Sequence, residues 1–279
     1  GFPWNLWAYS TVWLTEIIQI VNVIGLNSYN LLVITFFTLP VIIFFRLNKT
    51  KKILCFITIG FIILSLFIFG NYEINKNRKK LTENNDKVLI KIISPNFDLE
   101  YGLTNKQIEA RFNKLVRYSN PKKGEKTLFI WPEGVFSGYS YDEVFVFKEL
   151  ILKNFSKEHT IIFGINQLDL KSGNFYNSML VVDNNFKIIQ SYNKRKLVPF
   201  GEFLPFENFL NKFGLKKITE GHGSFLRGIK NDNIFIDKIN FLPLICYEII
   251  FTDLIQKSHA DTNLIINISE DGWFGNTIG

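Results

Sequence analysis

Residues 241–248 read FLPLICYE. An apolar run of strand length ends in Cys246, and Tyr247 and Glu248 follow at once. A strand that stops at a cysteine and a carboxylate delivers a nucleophile type to the edge of a sheet, where a substrate can reach it. Two other stretches have the same shape. TLFIWPEG (127–134) carries Glu133 at the end of an apolar run, and SYNKRKLVPFGEF (191–203) sets Lys194 and Glu202 around a turn. Glu, Lys and Cys at three strand ends point to covalent acyl chemistry.

The surrounding elements alternate. KVLIKIISP (87–95) reads as a first strand, residues 104–118 as a helix with Ile108, Phe112 and Leu115 on one side, and TLFIWPEG as a strand stopped by Pro132. Residues 142–153 read as a helix and TIIFGIN (160–166) as a strand. YNSMLVVD and FKIIQSYNK read as a hairpin whose turn uses the positive φ tolerated by Asn184-Asn185. After FLPLICYE come a helix over 249–257 and a strand, NLIINISE (263–270). Alternating strands and helices predict α/β layers rather than an all-β sandwich. The glycine-marked stretch 199–238 reads as a long irregular loop of the kind that carries function.

Upstream of residue 87 the chain changes character. Residues 28–45 are apolar except near their start, and 53–70 run without a charge. A helix over the latter is roughly 27 Å long, close to the hydrocarbon thickness of a bilayer. Both are predicted to be transmembrane, the first kinked at Pro40. The alternative, a buried core helix, suits them poorly because two in tandem leave no polar face. Trp4, Trp7, Trp13 and Tyr9 in residues 1–26 form a cluster suited to a membrane–water interface, on a helix with a polar stripe of Glu16, Gln19 and Asn22. An ordinary amphipathic helix of a soluble domain is the alternative. Residues 71–86 read as a basic linker. The expected division is therefore a membrane region over 1–86 and a catalytic domain over 87–279. The positive-inside rule ties, with Arg46, Lys49, Lys51 and Lys52 set against Lys76, Arg78, Lys79 and Lys80.

Net charge is +7 and 47% of the residues are hydrophobic. The basic residues cluster only beside the apolar segments, so they read as balance for a membrane surface and not as a nucleic-acid footprint. With Cys55 inside an apolar span and Cys246 at the site, no structural disulfide is expected. His159, His222 and His259 lack ligand spacing, so no metal site is expected. The first residue is Gly1 and the last, Gly279, closes a turn-rich DGWFGNTIG. Both ends read as cut, and a fragment of a longer protein is expected.

Taken singly, each site residue has a plain reading. A cysteine after an apolar strand usually packs, Glu133 after Trp-Pro suits a surface turn, Lys194 sits in a run with Arg195 and Lys196, and Glu202 and Glu248 suit caps or ion pairs. Together they make a working set. A thiolate attacks a carbonyl, a carboxylate takes and returns the proton, and an ammonium stabilises the oxyanion. No organic cofactor is needed.

Their order and surroundings say more. WPE (131–133), YNKRKLVPFGEFLP (192–205), ICYE (245–248) and SEDGWFG (269–275) resemble the nitrilase, or carbon-nitrogen hydrolase, superfamily, and within it the membrane-bound branch of apolipoprotein N-acyltransferases. GFPWNLW (1–7) looks like that branch's segment between spans. The resemblance implies an α-β-β-α sandwich preceded by transmembrane helices. It implies Glu133 as general base, Lys194 (not Lys196) as oxyanion-stabilising lysine and Cys246 as nucleophile. Glu202 matches a further active-site glutamate, Tyr247 and Glu248 match positions the family uses, and Tyr101 falls where an aromatic substrate contact is expected. Glu270 departs from the pattern by standing where asparagine is expected. Only NTIG follows WFG, so the rest of the domain, a closing span and the first spans are expected to lie outside this sequence.

The implied activity moves an acyl chain from a phospholipid, through a thioester on Cys246, to the N-terminal amine of an S-diacylglyceryl-cysteine apolipoprotein. A monomer in the bacterial inner membrane, with its catalytic domain on the periplasmic side, is expected. Phe200, Phe203, Leu204, Phe206, Phe209 and Leu210 form an apolar arm over the site or simply pack their loop. One rival is a membrane-tethered amidohydrolase of the nitrilase type, with water as acceptor. Another is a non-catalytic membrane protein, in which Glu133, Lys194 and Cys246 would lie far apart.

Overall fold

The computed structural model describes residues 6–83, 88–206, 224–229, 233–256, 261–270 and 272. The chain forms two units, Gly1–Lys87 and Val88–Gly279.

The first unit contains two helices long and apolar enough to cross a membrane, Leu26–Phe44 and Lys49–Lys79. Only 11% and 6% of their apolar windows are buried, which argues against core helices. Ahead of them the single amphipathic helix expected over the first 26 residues is broken. A 3-10 turn Trp7–Thr11 and two one-turn helices, α1 (Thr15–Ile18) and α2 (Val21–Ile24), replace it. Polar groups that bond elsewhere explain the break: the Thr11 hydroxyl donates to Ala8 O at 2.7 Å and meets the Tyr29 hydroxyl at 2.7 Å. Helix α3 (Leu26–Thr38) tightens into a 3-10 segment, Leu39–Phe44, with Pro40 in its first turn. Helix α4 (Lys49–Glu83) runs through most of the stretch expected to be a linker. Once the apolar turns are formed, adding helix-compatible polar residues is favourable, since the nucleation step is already behind them.

The second unit is layered. Strands β1 (Leu89–Ile92), β2 (Thr127–Ile130) and β3 (His159–Leu168) are parallel, and β4 (Phe175–Val182) and β5 (Ile188–Asn193) continue the sheet antiparallel. A second sheet pairs β6 (Ile234–Ile236) antiparallel with β7 (Ile239–Ile245), and β7 parallel with β8 (Leu264–Ile268). Alternation along β2 and β3 sorts their side chains into two cores. Phe129, Ile161 and Phe163 pack with Ile108, Phe112 and Leu115 of α5 (Asn105–Ser119) and Ile151 of α7 (Lys148–Asn154). Leu128, Ile130 and Ile162 face the other way, onto Phe241, Ile245, Ile266 and Ile268. On the far side of the second sheet, Leu242 and Leu244 pack with Leu254 of α8 (Thr252–Gln256). Helix, sheet, sheet and helix make the α-β-β-α sandwich. Strands covered on both faces read as unbroken apolar runs, as β2 and β7 do.

Several local expectations change. The helix expected over 142–153 is interrupted by a 3-10 turn, Phe145–Phe147, between α6 (Tyr141–Val144) and α7. The chain after Cys246 is a 3-10 turn, Cys246–Ile250, before α8 begins, and Lys257 lies outside the described residues. Strand β6 falls inside the stretch expected to be irregular. In the β4–β5 turn, Phe186 and not an asparagine takes the positive φ, at 60°. Asp183 decides this: one carboxylate oxygen accepts from the amides of Asn185 and Lys187 at 2.8 and 2.9 Å. The buried Phe186 ring in the outer core compensates its strained backbone.

Candidate active site

Glu133, Lys194 and Cys246 each stand just beyond a strand. Trp131 continues β2 by donating its amide to Ile162 O at 2.8 Å, and its indole donates to Ser119 Oγ at 2.9 Å. Pro132 then ends the pairing and Glu133 follows. Lys194 is the first residue after β5, and Cys246 the first after β7.

Lys194 is buried, and its Nζ lies 2.9 Å from Glu202 Oε1 and 3.6 Å from Glu133 Oε1. Burial works to lower its pKa, but the charges of Glu133 and Glu202 outweigh that and hold the ammonium well above its ordinary value. Asn177, on β4, donates Nδ2 to the same two oxygens, at 2.7 Å each. Its own carbonyl accepts the Lys194 amide at 2.8 Å. Glu202 Oε2 accepts the Val198 amide at 2.8 Å, which closes the turn after β5. Glu133 Oε2 is buried with no hydrogen-bond partner among the described residues.

Cys246 has φ 55°, a left-handed conformation that L residues rarely adopt. That kink swings the chain from β7 into the 3-10 turn and leaves the thiol half-buried beside the inter-sheet core. Burial pushes the thiol's pKa up, the charge on Glu133 adds to this, and Lys194, the Ser269 hydroxyl and the Tyr247 amide oppose it. The net shift is upward, so Cys246 rests as a thiol.

Tyr247 and Glu248 tie the cysteine turn to the lysine turn. Glu248 is fully buried. Its Oε1 accepts the amides of Arg195 and Lys196 at 2.7 and 2.9 Å, its Oε2 accepts that of Ile245 at 2.9 Å, and the Tyr192 hydroxyl donates to both oxygens. Burial raises its pKa and these donors oppose the rise. The Tyr247 hydroxyl donates to Leu197 O at 2.5 Å, and burial helps push its pKa up to about 12. The Tyr247 ring also lies under Lys194, with Nζ 5.6 Å from its centroid. Lys196, the other lysine of the run, points instead to Asp253 at 3.0 Å.

The structure thus brings together Glu133, Lys194, Glu202, Cys246, Tyr247 and Glu248, and the wide separation expected of a non-catalytic protein is not seen. Tyr101 lies against Gly138, on the loop that follows Glu133. Of the apolar arm, Phe200 and Phe206 are exposed and Leu204 is buried, whereas Phe209 and Leu210 lie outside the described residues. Glu270 accepts the Gly272 amide at 2.8 Å and presses its carboxylate against Gly134, the neighbour of Glu133.

Sequence reasoning missed Asn177 and Ser269. Asparagine is depleted in strands, so one inside the β4 run was a usable signal. Ser269 had none, because it meets Cys246 only through the β7–β8 register, in which Ile245 pairs with Ile268.

A family model described as carbon-nitrogen hydrolase matches residues 99–279. Curated relatives named apolipoprotein N-acyltransferase match along the whole chain. The one from Rhodopseudomonas palustris is 28% identical over 294 residues, covering 100% of this chain and 54% of its own length. The one from Brucella suis is 30% identical over 292 residues, covering 100% and 53%. The chain therefore spans about half the length of the curated relatives it matches. Among solved structures, a carbon-nitrogen hydrolase from Helicobacter pylori overlaps 65% of this chain and 59% of its own, with a TM-score of 0.45 and 18% identity.

Proposed function

This chain belongs to the carbon-nitrogen hydrolase family, and on that premise we propose that it is part of an enzyme that N-acylates lipoproteins, with a phospholipid as acyl donor. The observation that carries the reading is the buried meeting of Lys194 with Glu133 within electrostatic reach of the Cys246 thiol. The similarity to N-acyltransferases also extends over the first unit and its two apolar helices. A hydrolase of small soluble amides has no use for such helices, and this favours acyl transfer over the amidohydrolase alternative.

Two half-reactions follow. Glu133 takes the Cys246 proton as sulfur attacks the ester carbonyl carbon of the phospholipid. The carbonyl oxygen gains negative charge and Lys194 stabilises it. The C–O bond breaks, the leaving alkoxide recovers the proton from Glu133, and a lysophospholipid departs from a thioester on Cys246. The free α-amine of a diacylglyceryl-cysteine then attacks that thioester and gives a proton to Glu133. The C–S bond breaks, an amide forms, and the proton returns to the thiolate of Cys246. Glu202 and Asn177 hold Glu133 and Lys194 in register, and Tyr247 and Glu248 hold the two turns together.

On this reading residues 1–86 seat the chain in the bacterial inner membrane and 87–279 carry the chemistry on its periplasmic side. Both substrates are acylated, so a site beside a bilayer suits them. A monomer is part of this reading.

The test uses the full-length protein in detergent with phospholipid alone. Intact mass is expected to reveal an acyl adduct that hydroxylamine removes and Cys246→Ala abolishes, and that persists until a lipopeptide amine arrives. Rapid clearance by water would support the amidohydrolase instead. No adduct from folded protein would overturn the mechanism at its first step.

A further inference from the structure

Glu133 has two carboxylate oxygens in different surroundings. Oε1 receives the Asn177 amide at 2.7 Å and faces the Lys194 ammonium at 3.6 Å. Oε2 is buried and has no hydrogen-bond partner among the described residues. A buried carboxylate oxygen left without a donor is unfavourable, and such an atom in a native site calls for a role.

We infer that Asn177 selects the proton-transfer atom of the base: by occupying Glu133 Oε1 it leaves Oε2 to receive the Cys246 proton and later return it to the leaving group. This rests on the proposed role of Glu133 as base. A proton landing on Oε1 would confront the Asn177 N–H already donated to that oxygen and the Lys194 ammonium 3.6 Å away, whereas Oε2 meets no donor among the described residues. Lys194 alone does not enforce the choice, because its closer partner is Glu202 at 2.9 Å. Asn177 does, because one amide nitrogen bridges Glu133 Oε1 and Glu202 Oε1. An amide does not titrate, so it remains a donor throughout the cycle. Asn177 is itself anchored. It pairs with Asn166 on β3, and its carbonyl accepts the Lys194 amide. It is therefore a positioning residue, acting on substrate only through Glu133.

Among the described residues, Lys194 and Glu202 from the turn after β5 and Cys246 from the end of β7 are the charged and titratable groups near Glu133, and Glu270 lies against its neighbour Gly134. Asn177→Ala removes a donor that favours the charged carboxylate. Asn177→Asp keeps the shape but turns an acceptor and a negative charge on Glu133 and Glu202.

The experiment follows adduct formation from phospholipid in the full-length protein. Asn177→Ala is expected to slow acylation roughly 10-fold or more with the phospholipid KM unchanged. Asn177→Asp, the variant nearest in shape, is expected to be slower still. A folded Asn177→Ala or Asn177→Asp that acylates at the wild-type rate, or whose loss lies in the phospholipid KM, overturns the inference while the thioester mechanism stands. A wild type that forms no adduct overturns the parent reading, and this inference with it.

Discussion

A Cβ on Gly164 would stand 2.7 Å from the Cα of Glu133. Strand β3 passes so close behind Glu133 that no side chain fits, and the same Cβ would meet Ile268 Cδ1 at 3.0 Å. Backbone on one side and packed core on the other leave little room to yield. Gly164→Ala is therefore expected to push Glu133 out of line and lower the rate of adduct formation about 100-fold, as misplacement near 1 Å does. A wild-type rate in this variant would mean that the turn carrying Glu133 is slack.

Alkylation of Cys246 by iodoacetamide reads the thiol directly, in a Cys55→Ala background. Burial and the charge on Glu133 hold its pKa above the ordinary thiol value, so the folded thiol keeps its proton to higher pH than a free one. Reaction is expected to rise only above that ordinary range. Glu133→Gln removes a charge that raises the pKa and should bring the limb down. Lys194→Met removes one that lowers it and should move the limb up. A limb at the ordinary position that answers to neither change would contradict this electrostatic account.

The left-handed backbone of Cys246 predicts an inversion of a common rule. Glycine normally weakens a fold relative to alanine, but at φ 55° alanine is the strained residue. Cys246→Gly is expected to be more stable than Cys246→Ala by about 1 kcal/mol, both being inactive. Thermal unfolding of the two variants under the same detergent conditions decides it, and equal midpoints would remove the strain.

Glu248 contributes through three backbone amides rather than through substrate. Glu248→Ala removes the acceptor of the buried Ile245 amide and of the part-buried amides of Arg195 and Lys196. The expected loss of stability is about 3 kcal/mol or more. Any surviving folded protein should also lose acylation, because the turn bearing Lys194 is no longer held to the turn bearing Cys246. Full stability in Glu248→Ala would show that water or a neighbour replaces the carboxylate.

The parts of this protein that the amino-acid sequence determined are those set by neighbours along the chain. An apolar stretch free of charge is long enough to cross a bilayer whatever packs beside it, so 28–45 and 53–70 stood out. The apolar runs ending at Glu133 and Cys246 marked strand ends because a strand covered on both faces is apolar throughout. The break of residues 6–24 into three short pieces was not legible, since it depends on Tyr29 and Asn30 reaching back to Thr11 and Ala8. Nor was the continuation of α4 to Glu83.

What only the tertiary structure decided is which atoms meet. Asn177 reaches Glu133 across 44 residues and Glu202 across 25, and Glu248 reaches Arg195 across 53. Those meetings depend on strand register and on the packing of one sheet against another. A hydrogen bond requires its partners within a few tenths of an ångström, whereas an apolar run needs only to be apolar. The sequence carried the residue types, and the sandwich decided that Asn177 and Lys194 meet Glu133 at the same oxygen.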